Sequence, residues 1–172
     1  GDTLVPYNST GNITNGGDYL PLVPPTSSTL IGQMSFPGTA AGRVMNVSFF
    51  DNSTHVLQFS VNGATDATGN FTVDNITPGL YDISAKNWTD LSEVERGISL
   101  TGGIAYVDFG SSREGDSNGN DMITAADFSL LSAAYGSTPG SANWNEPCDF
   151  NRSGSITVTD FSLLSSNYLA QG

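Results

Sequence analysis

Between residues 29 and 110, apolar and polar positions alternate with a period of two along short segments: 30–36 (LIGQMSF), 43–50 (RVMNVSFF), 55–61 (HVLQFSV), 70–73, 80–85, 94–100 and 104–109. A period of two sends alternate side chains to one face of a sheet, so each segment predicts a half-buried strand. Turn-forming residues lie between them: Pro37-Gly38, Asp51-Asn52-Ser53, Asn62-Gly63, Thr68-Gly69-Asn70, Pro78-Gly79 and Gly102-Gly103. Short strands at this spacing predict an all-β sandwich over residues 29–112. Beyond residue 113 the period lengthens. Phe128, Leu131 and Tyr135 recur as Phe161, Leu164 and Tyr168 at helical spacing, which predicts a small all-α domain over residues 113–172. Residues 1–28 follow neither period. They are rich in Asn, Gly, Ser, Thr and Pro and predict an extended segment whose apolar residues can lie along a sheet.

The second domain is a duplication with an offset of 33 residues. The run DFSLLSAAY from Asp127 to Tyr135 returns as DFSLLSSNY from Asp160 to Tyr168. Each run follows a loop of small oxygen-bearing residues. The first is DSNGNDMITAAD, from Asp116 to Asp127, and the second is DFNRSGSITVTD, from Asp149 to Asp160. Side-chain oxygens at positions 1, 3, 5 and 12 of a twelve-residue loop, with a backbone carbonyl at position 7, are the ligand pattern of a calcium loop. The first set is Asp116, Asn118, Asn120, Met122 (by its carbonyl) and Asp127; the second is Asp149, Asn151, Ser153, Ser155 (by its carbonyl) and Asp160. Two Ca2+ sites are therefore expected. Position 6 separates the copies: Gly154 suits a left-handed turn, and Asp121 adopts it at some cost, so the first loop is expected to bind more weakly or to turn differently. Ile123 and Ile156 at position 8 are expected to pair across the two loops and seal the core.

Residues 114–172 resemble a dockerin, whose two EF-hand-like calcium loops each lead into one helix. The resemblance implies that calcium folds the unit and that a helix face docks on a cohesin, itself a β-sandwich. It places recognition at Ala125, Ala126, Ser132 and Ala133 in the first copy and at Val158, Thr159, Ser165 and Ser166 in the second. It also implies a pseudo-twofold unit able to bind in two orientations. The run from Thr65 to Val73 followed by Ile76 to Ile83 resembles the T-D-x-x-G-x-F…L-x-P-G-x-Y hairpin of carboxypeptidase regulatory-like domains, which are prealbumin-like sandwiches. That likeness implies a supporting module with Phe71 and Tyr81 in its core. The β-module and the dockerin-like unit together resemble the module–dockerin pairs of cellulosomal and other surface proteins.

Charge narrows the possible partners. The 172 residues carry 5 Lys and Arg against 17 Asp and Glu, for a net charge of −12. Nucleic acid and anionic membrane both need clustered bases, and here Arg43, Lys86, Arg96, Arg113 and Arg152 are scattered. No apolar run approaches the ~20 residues of a membrane span. The single cysteine, Cys148, allows no intrachain disulfide. The chain opens Gly1-Asp2-Thr3 without Met, as a processed chain would. Sequons occur at Asn8, Asn12, Asn46, Asn52, Asn70, Asn75, Asn87 and Asn151, more than chance gives for this Ser/Thr content, which predicts an extracellular or cell-surface glycoprotein. A glycan on Asn151 would block the second loop, so the first seven are the expected acceptors.

No catalytic constellation is legible, and no enzyme is expected. His55, the lone histidine, stands beside no Ser or Cys motif. Trp88 and Trp144 suit stacking on sugar, but two tryptophans alone make a weak case for carbohydrate binding. Two functions share the calcium-folded unit. One is a structural subunit that assembles head-to-tail into surface fibres with neighbouring copies of itself, through the dockerin-like module or the N-terminal segment. The other is an adaptor that tethers a protein to a cohesin-bearing scaffold.

Overall fold

The computed structural model describes residues 26–172 together with the backbone of two short strands, β1 (Leu4–Tyr7) and β2 (Asp18–Pro21). β1 and β2 pair antiparallel with each other as a separate two-stranded sheet. Among the described residues these two strands pair with no strand of the other sheets, so the expected docking of an extended segment along a sheet is not seen for them. The rest of that segment, with Asn8 and Asn12, lies outside the described residues.

The seven periodic segments form seven strands: β3 (Ser28–Ser35), β4 (Val44–Asp51), β5 (Leu57–Ala64), β6 (Asn70–Ile76), β7 (Gly79–Lys86), β8 (Glu93–Leu100) and β9 (Gly103–Ser111). They make two layers, a three-stranded sheet ordered β6-β3-β9 and a four-stranded sheet ordered β5-β4-β7-β8. β3 and β9 run parallel, and every other pair in the two layers is antiparallel. Alternation supplies the core: Leu30 and Met34 of β3, Met45, Val47 and Phe49 of β4, Phe71 and Val73 of β6, Ile83 of β7 and Phe109 of β9 face inward and are buried. Gly32 is required in β3, because a Cβ there would lie 2.2 Å from the Phe71 ring.

The likeness to a regulatory-module hairpin needs one correction. β6 and β7 belong to different sheets and do not pair, so the segment from Thr65 to Ile83 forms a corner that carries the chain between layers. The side chains behave as expected nonetheless. Phe71 is buried, and Tyr81 packs edge-on against Phe49 at 5.7 Å while its hydroxyl donates to the Thr77 carbonyl at 3.0 Å.

The second domain contains α1 (Ala125–Ala134), a short 3-10 helix (Glu146–Cys148) and α2 (Val158–Ser166). Each α-helix begins with a capping box. Thr124 or Thr157 caps the helix, and Asp127 or Asp160 accepts back from the cap amide. The helix-spaced stripes are only partly buried. Leu131, Ala134 and Leu164 enter the core, whereas Phe128, Phe161, Tyr135 and Tyr168 stay exposed. Cys148 is fully buried beside Ile123, Phe150 and Ile156.

Basic side chains that are scattered in sequence gather where the domains meet. Arg43 is wholly buried. Its Nη1 pairs with Glu114 at 2.5 Å, its Nη2 donates to the Phe150 carbonyl in the second domain at 2.9 Å, and its Nε donates to the Thr39 carbonyl. Arg113 donates to Glu93 and Ser92 on one side and to the Gln171 carbonyl on the other. Leu91, from the β7–β8 connection, is part of the second domain's apolar core. Gly38, at φ 89°, touches the Asn151 carbonyl so closely that a Cβ would lie 2.2 Å from it. Among the described residues one group at the seam is uncompensated: Asp90 is buried and its Oδ2 has no hydrogen-bond partner. Burial, reinforced by the negative charge of Glu114, pushes its carboxyl well above the ordinary 3.8.

Two outcomes follow from the seam. Arg43→Met leaves Glu114 buried without its partner and is expected to destabilise the chain by about 3–5 kcal/mol in denaturant unfolding, most of which Arg43→Met/Glu114→Leu recovers. Asp90 holds its proton more tightly in the folded chain, so the stability it contributes is present below pH 3.8 and is lost as pH rises toward its folded value. Asp90→Asn should remove that part of the slope when stability is measured against pH; identical slopes in both proteins would refute the assignment.

Candidate metal loops and helix face

Both loops fold on one plan. In the first, Asp116 at position 1 accepts the Asn120 amide at 3.0 Å through Oδ1 and the Asp121 amide at 2.8 Å through Oδ2. In the second, Asp149 accepts the Ser153 amide at 3.0 Å and the Gly154 amide at 2.8 Å in the same way. At position 3, Asn118 and Asn151 each accept the position-5 amide at 3.0 Å. At position 12, Asp127 and Asp160 reach back to accept amides early in the loop and also hold the helix cap, at Thr124 and Thr157. Asn120 accepts from the Met122 amide, and Ser153 donates to the Ser155 carbonyl. Each set of predicted ligands is thereby wound around a single turn.

The donor chemistry fits a hard cation. Each predicted ligand set offers two carboxylates, backed by amide or hydroxyl oxygens and a carbonyl, which are the ligand types calcium takes. Asp116, Asp127, Asp149 and Asp160 are all buried, so each loop concentrates two negative charges away from bulk water. Only two residues of each predicted ligand set are carboxylates, and the third carboxylate of the first loop, Asp121, is turned to Ser92 and Lys86; among the described residues no group of three or more His, Cys, Asp or Glu side chains assembles.

The turn at position 6 is left-handed in both copies, with φ 67° at Asp121 and 80° at Gly154. Position 4 is left-handed too, with φ 74° at Gly119 and 54° at Arg152. Each loop therefore has one glycine and one strained residue, in exchanged places, and comparison at position 6 alone misses this symmetry. Asp121 is held from the first domain: Ser92 donates to it from its amide at 2.8 Å and from its hydroxyl at 2.6 Å, and Lys86 Nζ lies 3.2 Å away. Burial raises the Asp121 carboxyl, but the Ser92 bonds and Lys86 outweigh it and leave it below its ordinary value. Lys86 also pairs with Asp116 Oδ2 at 2.9 Å and donates to the Asp90 carbonyl. No sequence signal couples Lys86 or Ser92 to the first loop; the fold does.

Ile123 and Ile156 both seal the second core, as expected, but exchange no backbone hydrogen bond with each other. Ile123 exchanges backbone hydrogen bonds with Leu169 and Ala170, after α2, and Ile156 with Gly136 and Ser137, after α1. The reason is that position 8 points its backbone at the exit of the other copy's helix, which leaves both side chains fully buried in one core. The crossed pairing repeats at the offset of the duplication and relates the copies by a pseudo-twofold.

The eight small residues proposed for partner recognition, Ala125, Ala126, Ser132, Ala133, Val158, Thr159, Ser165 and Ser166, are all exposed. Between the helices Phe128 and Phe161 meet edge to face at 6.0 Å and remain exposed as well. Of the sequons, Asn46 and Asn75 are exposed, and Asn52 and Asn70 are half-buried. Asn87 is a correction. It is buried, with its Nδ2 donating to the Val44 carbonyl at 3.2 Å, so the folded chain offers no acceptor there. His55 braces Asp82 at 2.9 Å, and Asn52, Gly97 and Arg96 serve the same carboxylate, a structural hub holding the β7–β8 edge.

Comparison with known proteins agrees with this geometry. Residues 114–169 match the dockerin type I domain, a kind of domain that binds calcium. Two solved structures share the fold across both domains. Both are type II cohesin–X–dockerin complexes from Acetivibrio cellulolyticus. The Coh3ScaB–XDoc_M2ScaA complex, a C-terminal interface mutant, matches with TM-score 0.65 and 19% identity, covering 84% of this chain and 97% of that one. The M1ScaA complex, an N-terminal interface mutant, matches with TM-score 0.64 and 19% identity, covering 85% and 97%. A putative carbohydrate binding protein from Bacteroides uniformis matches with TM-score 0.37 and 12% identity, over 53% of this chain and 43% of that one. No curated protein matches the chain.

Asp121→Ala is expected to lower stability by about 1–2 kcal/mol, because it loses the Ser92 bonds and keeps an unfavourable left-handed φ. Asp121→Gly loses the same bonds but relieves the backbone, and should lose less. Equal melting temperatures for the two variants would show that backbone strain contributes nothing.

Proposed function

We propose that this chain is a non-enzymatic, calcium-folded adaptor of the dockerin type, working outside the cell, whose helix face docks on a cohesin-like β-sandwich. The observation that carries the reading is the duplicated loop: two sets of oxygen donors on one hydrogen-bonding plan, each leading into a helix with small uncharged exposed residues. The match of residues 114–169 to a dockerin type I domain supports it, as does a shared two-domain fold with chains whose structures are described as cohesin–X–dockerin complexes. On this reading Asp116, Asn118, Asn120, Asp127 and the Met122 carbonyl hold one Ca2+, and Asp149, Asn151, Ser153, Asp160 and the Ser155 carbonyl hold the other. The ion neutralises carboxylates that otherwise repel each other inside a tight turn. Ala125, Ala126, Ser132 and Ala133, or their counterparts Val158, Thr159, Ser165 and Ser166, then pack closely on the partner. The β-sandwich, in the manner of a carboxypeptidase regulatory-like module, supports the docking unit. Glycans would occupy Asn52, Asn70 and Asn75, with Asn8 and Asn12 further acceptors; Asn46 lines the cleft between the domains and is left bare on this reading.

Head-to-tail assembly into fibres is the second reading, and one observation favours it. β9 ends its sheet with Ile104 and Tyr106 exposed, a surface suited to an extended segment of a neighbouring copy.

Calcium calorimetry, circular dichroism and binding to immobilised type I and type II cohesins test both readings. EGTA should lower the melting temperature of the second domain and abolish cohesin binding. A spectrum and melting curve indifferent to EGTA would refute the calcium reading. Ala126→Arg or Thr159→Arg alone should leave cohesin affinity within about threefold, because the other copy still docks, whereas the double variant should lose more than about a hundredfold. Concentration-dependent fibres with no cohesin binding would favour the second reading.

A further inference from the structure

We infer that the cleft between the two domains is a binding site for a neutral oligosaccharide. The cleft has a volume of about 880 Å³, within the range of small-molecule sites, and it lies at a domain interface, where such sites concentrate. One wall comes from the sandwich and carries Trp88, Asn46 and Asn62. The other comes from the second domain and carries Trp144, Glu146 and Arg152. The two tryptophans of the chain, 56 residues apart in sequence, thus face one space.

These side chains are poised for a ligand. Trp88 is 48% exposed, unusually open for an indole. Trp144 packs partly on the second core, which fixes its ring. Among the described residues neither indole N–H has an acceptor, and the side chains of Glu146 and Arg152 make no hydrogen bond or ion pair. Asn46 Nδ2 donates to Asn62 Oδ1 at 3.0 Å, which orients both amides and leaves Asn62 Nδ2 open. Flat aromatic faces beside planar amides, a carboxylate and a guanidinium suit a pyranose chain. The C–H faces of the sugar stack on indole, and its hydroxyls both donate and accept.

Charge decides against other ligands of similar size. The cleft's two other ionic side chains are already committed, Lys86 to Asp116 and Asp149 to the amides of its own loop. The open pair, Glu146 and Arg152, cancels, and the chain's net charge of −12 repels anions, so phosphate-bearing ligands and acidic sugars are disfavoured. Four polar side chains around two rings disfavour a purely apolar ligand.

The test uses the whole calcium-loaded chain, with intact mass confirming that Asn46 is unmodified, since a glycan there would fill the cleft from within. Cellotetraose, xylotetraose and mannotetraose are titrated by tryptophan fluorescence and calorimetry, with a proline-rich peptide as the competing occupant. At least one tetrasaccharide should shift the emission and bind. Trp88→Ala should weaken that binding about tenfold or more, and Asn62→Ala by a few-fold, without altering the calcium-dependent melting temperature. Trp144→Phe keeps the packing and should weaken it less than Trp88→Ala. No binding of any tetrasaccharide at millimolar concentration, binding unaffected by Trp88→Ala, or binding of the peptide alone would each overturn the proposal.

Discussion

The buried guanidinium of Arg43 is the constraint on which the two-domain arrangement depends. A cation with no access to water must have its donors met, and the partners of Arg43 come from three places: the Thr39 carbonyl in the connection before β4, the Glu114 carboxylate where the chain leaves the sandwich, and the Phe150 carbonyl inside the second candidate metal loop. The Phe36 ring covers its flat face, with the guanidinium carbon 4.5 Å from the ring centre. Moving the second domain by even a few ångströms would strand either the cation or Glu114. An apolar seam of equal area would tolerate sliding; this one specifies an orientation. Leu91, inserted into the second core, adds apolar burial at a point where Arg43 has already set the register.

That constraint bears directly on the candidate metal loops. Both rest against the sandwich, but they do so through different chemistry. The first presents carboxylates, Asp116 and Asp121, to Lys86 and Ser92. The second presents carbonyls, those of Phe150 and Asn151, to Arg43 and Thr39. A left-handed residue that would be a liability in an isolated loop is held in place at Asp121 by bonds from another domain. The Asp at position 6 is thus a compensated departure from glycine, since its side chain gains partners that glycine lacks.

Much of this was legible in the sequence, and the reasons are local. Strand alternation located all seven sandwich strands because burial on one face of a sheet forces a period of two. The duplicated loop and helix were legible because a tight turn leading into a capped helix needs small oxygen-bearing residues at set intervals and a carboxylate at the helix start. What was not legible depends on the third dimension. The corner between β6 and β7 looked like a hairpin, because turn chemistry is the same whether the next strand pairs or changes sheet. Ile123 and Ile156 looked like partners, because sequence shows their equivalence but not the crossed path that hands each one to the other copy's helix exit. Asn87 matched a sequon, but its burial comes from the Val44 carbonyl on a strand 43 residues away. The five bases looked scattered, yet Arg43, Lys86 and Arg113 all meet at the seam.

The asymmetry of the seam also bears on how a duplicated unit can work. Two near-identical copies related by a pseudo-twofold would, if free, offer equivalent surfaces in every direction. Here one side of each loop is engaged by the sandwich, each in its own way, so the unit sits on its support in a single orientation. The exposed residues of α1 and α2 keep the copies alike in kind rather than identity: all eight are uncharged, and Ser132 answers Ser165, while Ala125, Ala126 and Ala133 answer Val158, Thr159 and Ser166. A support that reads the copies differently and a helix face that keeps them alike are compatible because the duplication supplies two surfaces, and burying one leaves the other unconstrained. On the proposed reading, the rigid seam fixes how the docking unit is carried, while the conserved likeness of its outer face leaves the direction of docking to the partner.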